Sequence, residues 1–135
     1  MLRLQDDLLE VLNACATGTL GGFSEIKFSD DIALGVVMAA RGYPASYAKG
    51  GVIGGLDKAQ DAQGVKVFQA GTAKNDKGEI ISVGGRVLCV TALGDSVLEA
   101  QQKAYEAVDK INWDDGFCRR DIGWRAVKVE KAKVA

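Results

Sequence analysis

A chain of 135 residues, 47% hydrophobic and 26% charged, is long enough for one domain with a core of its own. Seventeen Lys and Arg stand against eighteen Asp and Glu, and the net charge of −1 argues against a dedicated nucleic-acid binder, which carries a basic face. The chain has no histidine, which removes Ser-His-Asp and Cys-His nucleophiles, His-based zinc sites and any imidazole base.

The longest apolar run, Ile32 to Ala40, is far short of the ~20 residues a membrane helix needs. No basic start leads into an apolar stretch and a cleavage site, so the expectation is a cytoplasmic chain with neither membrane nor nucleic acid as partner. Cys15, Cys89 and Cys118 are an odd number without a C-x-x-C pair, against a disulfide framework or a zinc site. Cys15 and Cys89 sit in apolar stretches and are expected to be buried.

The first sixteen residues read as a helix, with Leu4, Leu8, Leu12 and Cys15 on one stripe and no capping residue ahead of Leu2. Gly18, Gly21 and Gly22 end it, and Ser24 to Asp31 reads as a linker. Ile32 to Ala40 is short, apolar and β-branched, as a buried strand should be. Residues 41 to 55 are rich in glycine, hold the only proline and form a special-geometry loop.

Val65 to Ala73 alternates as a strand, turns at Lys74 to Gly78 and returns as Glu79 to Val83. Gly84-Gly85 breaks the chain before a strand over Arg86 to Ala92. Ser96 and Glu99 form a capping box for a helix to about residue 111, with Val97, Ala100, Ala104, Val108 and Ile111 on its apolar face. Trp113 to Gly116 is a turn, Gly123 to Val129 a last strand and Glu130 to Ala135 a loose charged tail. This order predicts an α+β domain, an antiparallel sheet with packed helices.

Glycine pairs at 50-51, 54-55 and 84-85 either make turns and bulges or let backbone N–H groups approach a phosphate. Neither a P-loop nor a dinucleotide fingerprint in context is present. Gly84-Gly85-Arg86 is the better candidate, because a guanidinium at a strand start binds a carboxylate or phosphate bidentately; the alternative is a bulge with a surface arginine. The acidic pairs Asp6-Asp7, Asp30-Asp31 and Asp114-Asp115 read as solvated faces, caps and turns, with no metal site expected. Arg119, Arg120 and Arg125 form a small basic group.

Ala33 to Pro44, Val67 to Thr72, Gly84 to Leu88 with Thr91 to Gly94, and Asp121 to Ala126 together resemble the phosphoribosylamine–glycine ligase (glycinamide ribonucleotide synthetase) family. Ala33 to Pro44 resembles its A-x-x-V-V-x-A-x-x-G-Y-P stretch, and Val67 to Thr72 its V-F-H-A-G-T segment. Gly84 to Leu88 with Thr91 to Gly94 resembles its N-G-G-R-V-L-x-V-T-A-x-G block. Ala104-Tyr105, Phe117 to Arg119 and Asp121 to Ala126 match the end of its C-terminal domain. Gln69, Val83 and Cys118 stand where the family usually has His, Asn and Tyr, which leaves Arg86 as the side chain most readily placed near substrate.

The resemblance implies an ATP-grasp ligase of purine synthesis that joins glycine to 5-phosphoribosylamine through a glycyl-phosphate, with ATP giving ADP and phosphate and magnesium or manganese bridging the nucleotide. It implies that residues 1–22 are the terminal helix of the grasp domain, 23–32 a linker, 33–127 the C-terminal domain and 128–135 a flexible tail. The metal-binding Glu and Asn would lie ahead of Met1, so this part alone would hold neither ATP nor metal and would be inactive. Its partners would be the amino-terminal and grasp domains and the two substrates. The competing reading is a stand-alone, non-catalytic module that binds a phosphorylated metabolite or a partner protein; a split enzyme lies between. Leu2, Leu4, Leu8 and Leu12 discriminate, since a part of a longer enzyme leaves their stripe exposed.

Overall fold

In a computed structural model that describes residues 1–134, the chain is an α+β domain built on a four-stranded antiparallel sheet. The central pair is β1 (Ile32–Ala40) and β5 (Arg86–Gly94), with β2 (Val65–Gln69) outside β5 and the short β6 (Gly116–Phe117) outside β1. β1 and β5 run in register from Ile32 opposite Gly94 to Met38 opposite Leu88; a bulge then sets Ala39 opposite Arg86. Period-two alternation puts Leu34, Val36, Met38 and Ala40 of β1, and Leu88, Val90 and Ala92 of β5, on the buried face.

Helix α3 (Val97–Val108) covers that face. Its contact stripe is Ala100, Ala104, Ala107 and Val108, and these small side chains let it approach so closely that a β-carbon on Gly94 would come within 2.6 Å of Ala100 N. Ser96 Oγ accepts from Glu99 N at 3.1 Å, and the Glu99 carboxylate accepts from Asp95 N at 2.7 Å, one residue ahead of the usual box. The short α2 (Leu56–Gln60) adds Leu56 and Ala59 to the same core.

The structure corrects several sequence expectations. The first helix, α1, starts at Leu8, not at residue 1, and it is capped: Asp7 accepts from Leu9 N and Glu10 N. Residues 1–7 instead run back along 27–29, with a bridge from Leu4 to Phe28 and the Asp6 carboxylate on Lys27 N. The strand expected over 65–73 is two pieces. β2 pairs with β5, while β3 (Thr72–Lys74) forms a separate hairpin with β4 (Ile80–Ser82), because Ala70 N and Gly71 N both turn in to Val87 O.

The strand expected at Gly123 to Val129 is a helix, α4 (Trp124–Val134), which continues through the tail expected to be loose; Ala135 lies outside the described residues. Within α4, Glu130 reaches across to α3 and accepts from Val97 N at 2.9 Å and Leu98 N at 3.2 Å. Cys15 is exposed and Cys89 half-buried, not buried as expected: Cys15 lies off the α1 face that carries Val11 and Ala14, and Cys89 points to the uncovered side of the sheet.

Candidate functional site

The Gly84-Gly85-Arg86 turn lies where the β3–β4 hairpin hands over to β5, and three chain segments meet it. Val83 N and Gly84 N both donate to Gly71 O, at 2.8 and 3.2 Å, so the two glycine backbones nearly touch. Ala40 N donates to Gly85 O at 2.8 Å, fixing the turn to the end of β1. From the other side the loop after β1 lays the Tyr43 ring on Gly85, where a β-carbon would stand 2.8 Å from Tyr43 Cε2 and 3.1 Å from Tyr47 Cε1. Gly85 is glycine because an aromatic wall needs its space.

That wall is made by a tight loop. Gly42 has φ +96°, a backbone angle that side chains disfavour, and the Tyr43–Pro44 peptide is cis. Tyr43 and Tyr47 meet edge to face with centroids 6.2 Å apart, and Lys49 Nζ stands 5.9 Å from the Tyr47 ring centre. Arg41 Nη2 donates to Asp114 O at 3.2 Å. Arg86 is exposed, and among the described residues no salt bridge engages it. Of the glycine pair, Gly84 N–H is committed to Gly71 O, whereas Gly85 N–H has no backbone acceptor among the described residues. The turn therefore exposes one guanidinium beside a buried, tyrosine-covered glycine, and a guanidinium suits an anionic group.

Other candidates fall elsewhere. Gly50 N donates to Ser82 O and Gly54 N to Asn112 O, so these pairs stitch the loop to β4 and to the segment after α3. Arg119 and Asp121 pair with each other through two bonds, which raises the arginine's pKa and lowers the aspartate's; both are exposed. Arg120 pairs with Asp109, and Arg125 lies over the Trp124 ring at 5.4 Å. None of these arginines is brought to the Arg86 turn by a bond. Among the described residues no three His, Cys, Asp or Glu side chains gather where a metal ion could be held.

Sequence reasoning missed the tyrosine wall; the signal was two tyrosines four apart inside a Gly/Pro stretch, which read only as a special-geometry loop. It also missed a buried polar cluster. Ser82 Oγ and Trp113 Nε1 have no partner and face Gly51, where a β-carbon would lie 3.5 and 3.1 Å from them and 2.9 Å from Asp115 Oδ2.

The residues of β1, the tyrosine loop, the Gly-Gly-Arg turn, α3 and the start of α4 form one continuous match, over residues 33–125, to the model of the phosphoribosylglycinamide synthetase C domain. The chain belongs to that family. A phosphoribosylamine–glycine ligase of Mesorhizobium japonicum is 56% identical over 132 residues, and one of Vibrio cholerae 52% over 133; each match takes in 98% of this chain and 30% of the relative. A chloroplastic ligase of Arabidopsis thaliana is 51% identical over 97% of this chain and 25% of its own length. The crystal structure of the Thermotoga maritima ligase superposes with a TM-score of 0.66 at 37% identity, covering 82% of this chain and 27% of that one. The C-domain chain thus spans about 30% of the length of the curated bacterial relatives.

Proposed function

We propose that this C-domain chain is the carboxy-terminal part of a ligase that joins glycine to 5-phosphoribosylamine, with ATP hydrolysed to ADP and phosphate, in purine synthesis. The observation that carries the reading is the 56% identity over 132 residues, 98% of this chain, with a relative named for that reaction. In this reading residues 33–127 are the C-terminal domain, 1–22 end the grasp domain and 23–32 join them. The separateness of α1 supports the division, since its buried Val11 and Ala14 stand outside the main core while Leu9 and Leu12 are exposed.

Within the reading, Arg86 and the N–H of Gly85 hold the phosphate of 5-phosphoribosylamine, Gly84 lets the turn close on Gly71, and Tyr43 and Tyr47 flank the sugar. In this reading ATP and its magnesium or manganese are held by the rest of the enzyme. Among the described residues no helix is long and apolar enough to cross a membrane. In this reading the enzyme works in the cytoplasm; the Arabidopsis relative is named as chloroplastic.

The test is reconstitution. The chain is assayed for ADP release dependent on glycine and 5-phosphoribosylamine, alone and mixed with the remaining ~70% of the Mesorhizobium relative expressed separately. No turnover alone and recovery on mixing are the expected results. Turnover by the chain alone, or a stable complex of the two parts without turnover, would overturn the proposal, the latter in favour of a non-catalytic binding module.

A further inference from the structure

Three polar side chains meet beside Gly51 without using one another. Ser82 is 0% and Trp113 7% exposed, and neither Ser82 Oγ nor Trp113 Nε1 has a hydrogen-bond partner. Asp115 is half-buried, and among the described residues no salt bridge engages it. A β-carbon on Gly51 would stand 2.9 Å from Asp115 Oδ2, 3.1 Å from Trp113 Nε1 and 3.5 Å from Ser82 Oγ. The three atoms therefore surround the one place that a glycine leaves without a side chain.

Backbone bonds fix this arrangement. Gly50 N donates to Ser82 O at 2.7 Å and Ser82 N to Gly51 O at 2.9 Å, which clamps the loop to β4. Arg41 N donates to Asp115 O at 2.7 Å and Gly116 N to Trp113 O at 2.9 Å, which ties the turn ahead of β6 to the end of β1. The polar side chains take no part in either clamp. Nor does the backbone call for glycine at 51, since its φ lies outside the left-handed region that Gly50, at +87°, occupies. What a side chain at 51 would take up is the space between the three polar groups.

Their chemistry selects what enters that space. An unpaired buried donor is costly, and two of them facing one spot point to a ligand atom. The indole N–H only donates, the carboxylate only accepts and the serine hydroxyl does either. An ammonium group would leave the indole unpaired, and a phosphate or carboxylate would meet the charge of Asp115. A neutral hydroxyl satisfies all three, accepting from Trp113 and Ser82 and donating to Asp115. Water has the same capacity, and aromatic neighbours separate the two. Tyr47 lies four residues before Gly51 on the same loop and meets Tyr43 edge to face, and such faces suit the C–H surface of a sugar.

We propose that Ser82, Trp113 and Asp115 bind one hydroxyl of a pentose. The choice of ribose as that pentose rests on the ligase reading. Gly51 and Asp115 are the half-buried members, so the hydroxyl enters over Gly51 as the Asp115 side chain turns aside.

The indole N–H resonances of the ¹⁵N-labelled chain test this. There are two tryptophans, and Trp124, 48% exposed on α4, serves as the internal control. D-ribose is expected to move the Trp113 resonance downfield and saturably, with a Kd of about 1–10 mM, and to leave Trp124 in place. D-ribose 5-phosphate should do the same, and inorganic phosphate should not. Asp115→Ala, which removes no bond from the fold, is expected to weaken the effect about tenfold or more. Gly51→Ala, whose β-carbon fills the spot, should abolish it. A Trp113 resonance that ribose leaves in place would assign the three groups to bound water and overturn the proposal. So would an equal shift at Trp124, or a shift that persists in both variants. Ribose binding without turnover on reconstitution would count against the ligase reading alone, and turnover without ribose binding against this inference alone.

Discussion

Tyr43 lies so close over Gly85 that even one added carbon must displace it. Gly85→Ala is expected to cost about 1–3 kcal/mol in a buried turn, read as a fall in melting temperature, and to lower activity of the reconstituted enzyme by shifting Arg86. Arg86 itself is exposed and supports no packing. Arg86→Ala is expected to leave the melting temperature unchanged while raising KM for 5-phosphoribosylamine about 10- to 100-fold, as loss of a charged contact would. An unchanged KM would remove Arg86 from the site. Among the cysteines, burial pushes the Cys118 thiol up, so less of it is thiolate near neutrality. Alkylation at pH 7.5 is expected to take the exposed Cys15 before Cys118, and the rate at Cys118 to keep rising beyond the pH at which an ordinary free thiol levels off.

At the scale of elements, α3 depends on a residue far away in sequence. Its first turn presents free N–H groups, and Ser96 takes one while Glu130 of α4 takes two. Glu130→Ala is therefore expected to destabilise the domain by about 1–2 kcal/mol, measured by urea unfolding, and to loosen α4 as well. A change below about 0.3 kcal/mol would show that water replaces the carboxylate without loss.

This contact also explains what the sequence did not disclose. Alternation of Trp124, Ala126 and Val127 with charged residues gives little helical signal, and only Val127 among α4's described positions is buried. The strand pattern won at Gly123 to Val129 because what orients the helix is a tertiary bond, invisible to periodicity. Long, strongly patterned elements such as β1, β5 and α3 were legible, since each carries one buried face and α3 a local cap. The break between β2 and β3 was not, because it is set by Val87 O, sixteen or more residues away, accepting from Ala70 and Gly71. The site was half legible: Gly84, Gly85 and Arg86 stood out by composition, whereas the tyrosines that decide their geometry arrive from another loop.

For the molecule as a whole, the distribution of core residues predicts two levels of stability. The sheet, α2 and α3 share one continuous cluster that includes the fully buried Val36, Leu88 and Val90. Residues 1–31 are held differently, by a single bridge at Leu4 and Phe28, a few backbone bonds to 27–29, and Val11 and Ala14 outside that cluster. Such a segment opens at a fraction of the global unfolding free energy. Hydrogen exchange is expected to label α1 well before β1 or β5. A protease at low dose should trim the chain to a resistant piece beginning near Ile32, with its near-UV signature retained.

A helix held loosely at the front of a self-sufficient domain behaves as a joint, able to let the body behind it swing without unfolding. Under the proposed ligase reading, such a joint lets the body behind it turn as a unit about the first thirty residues.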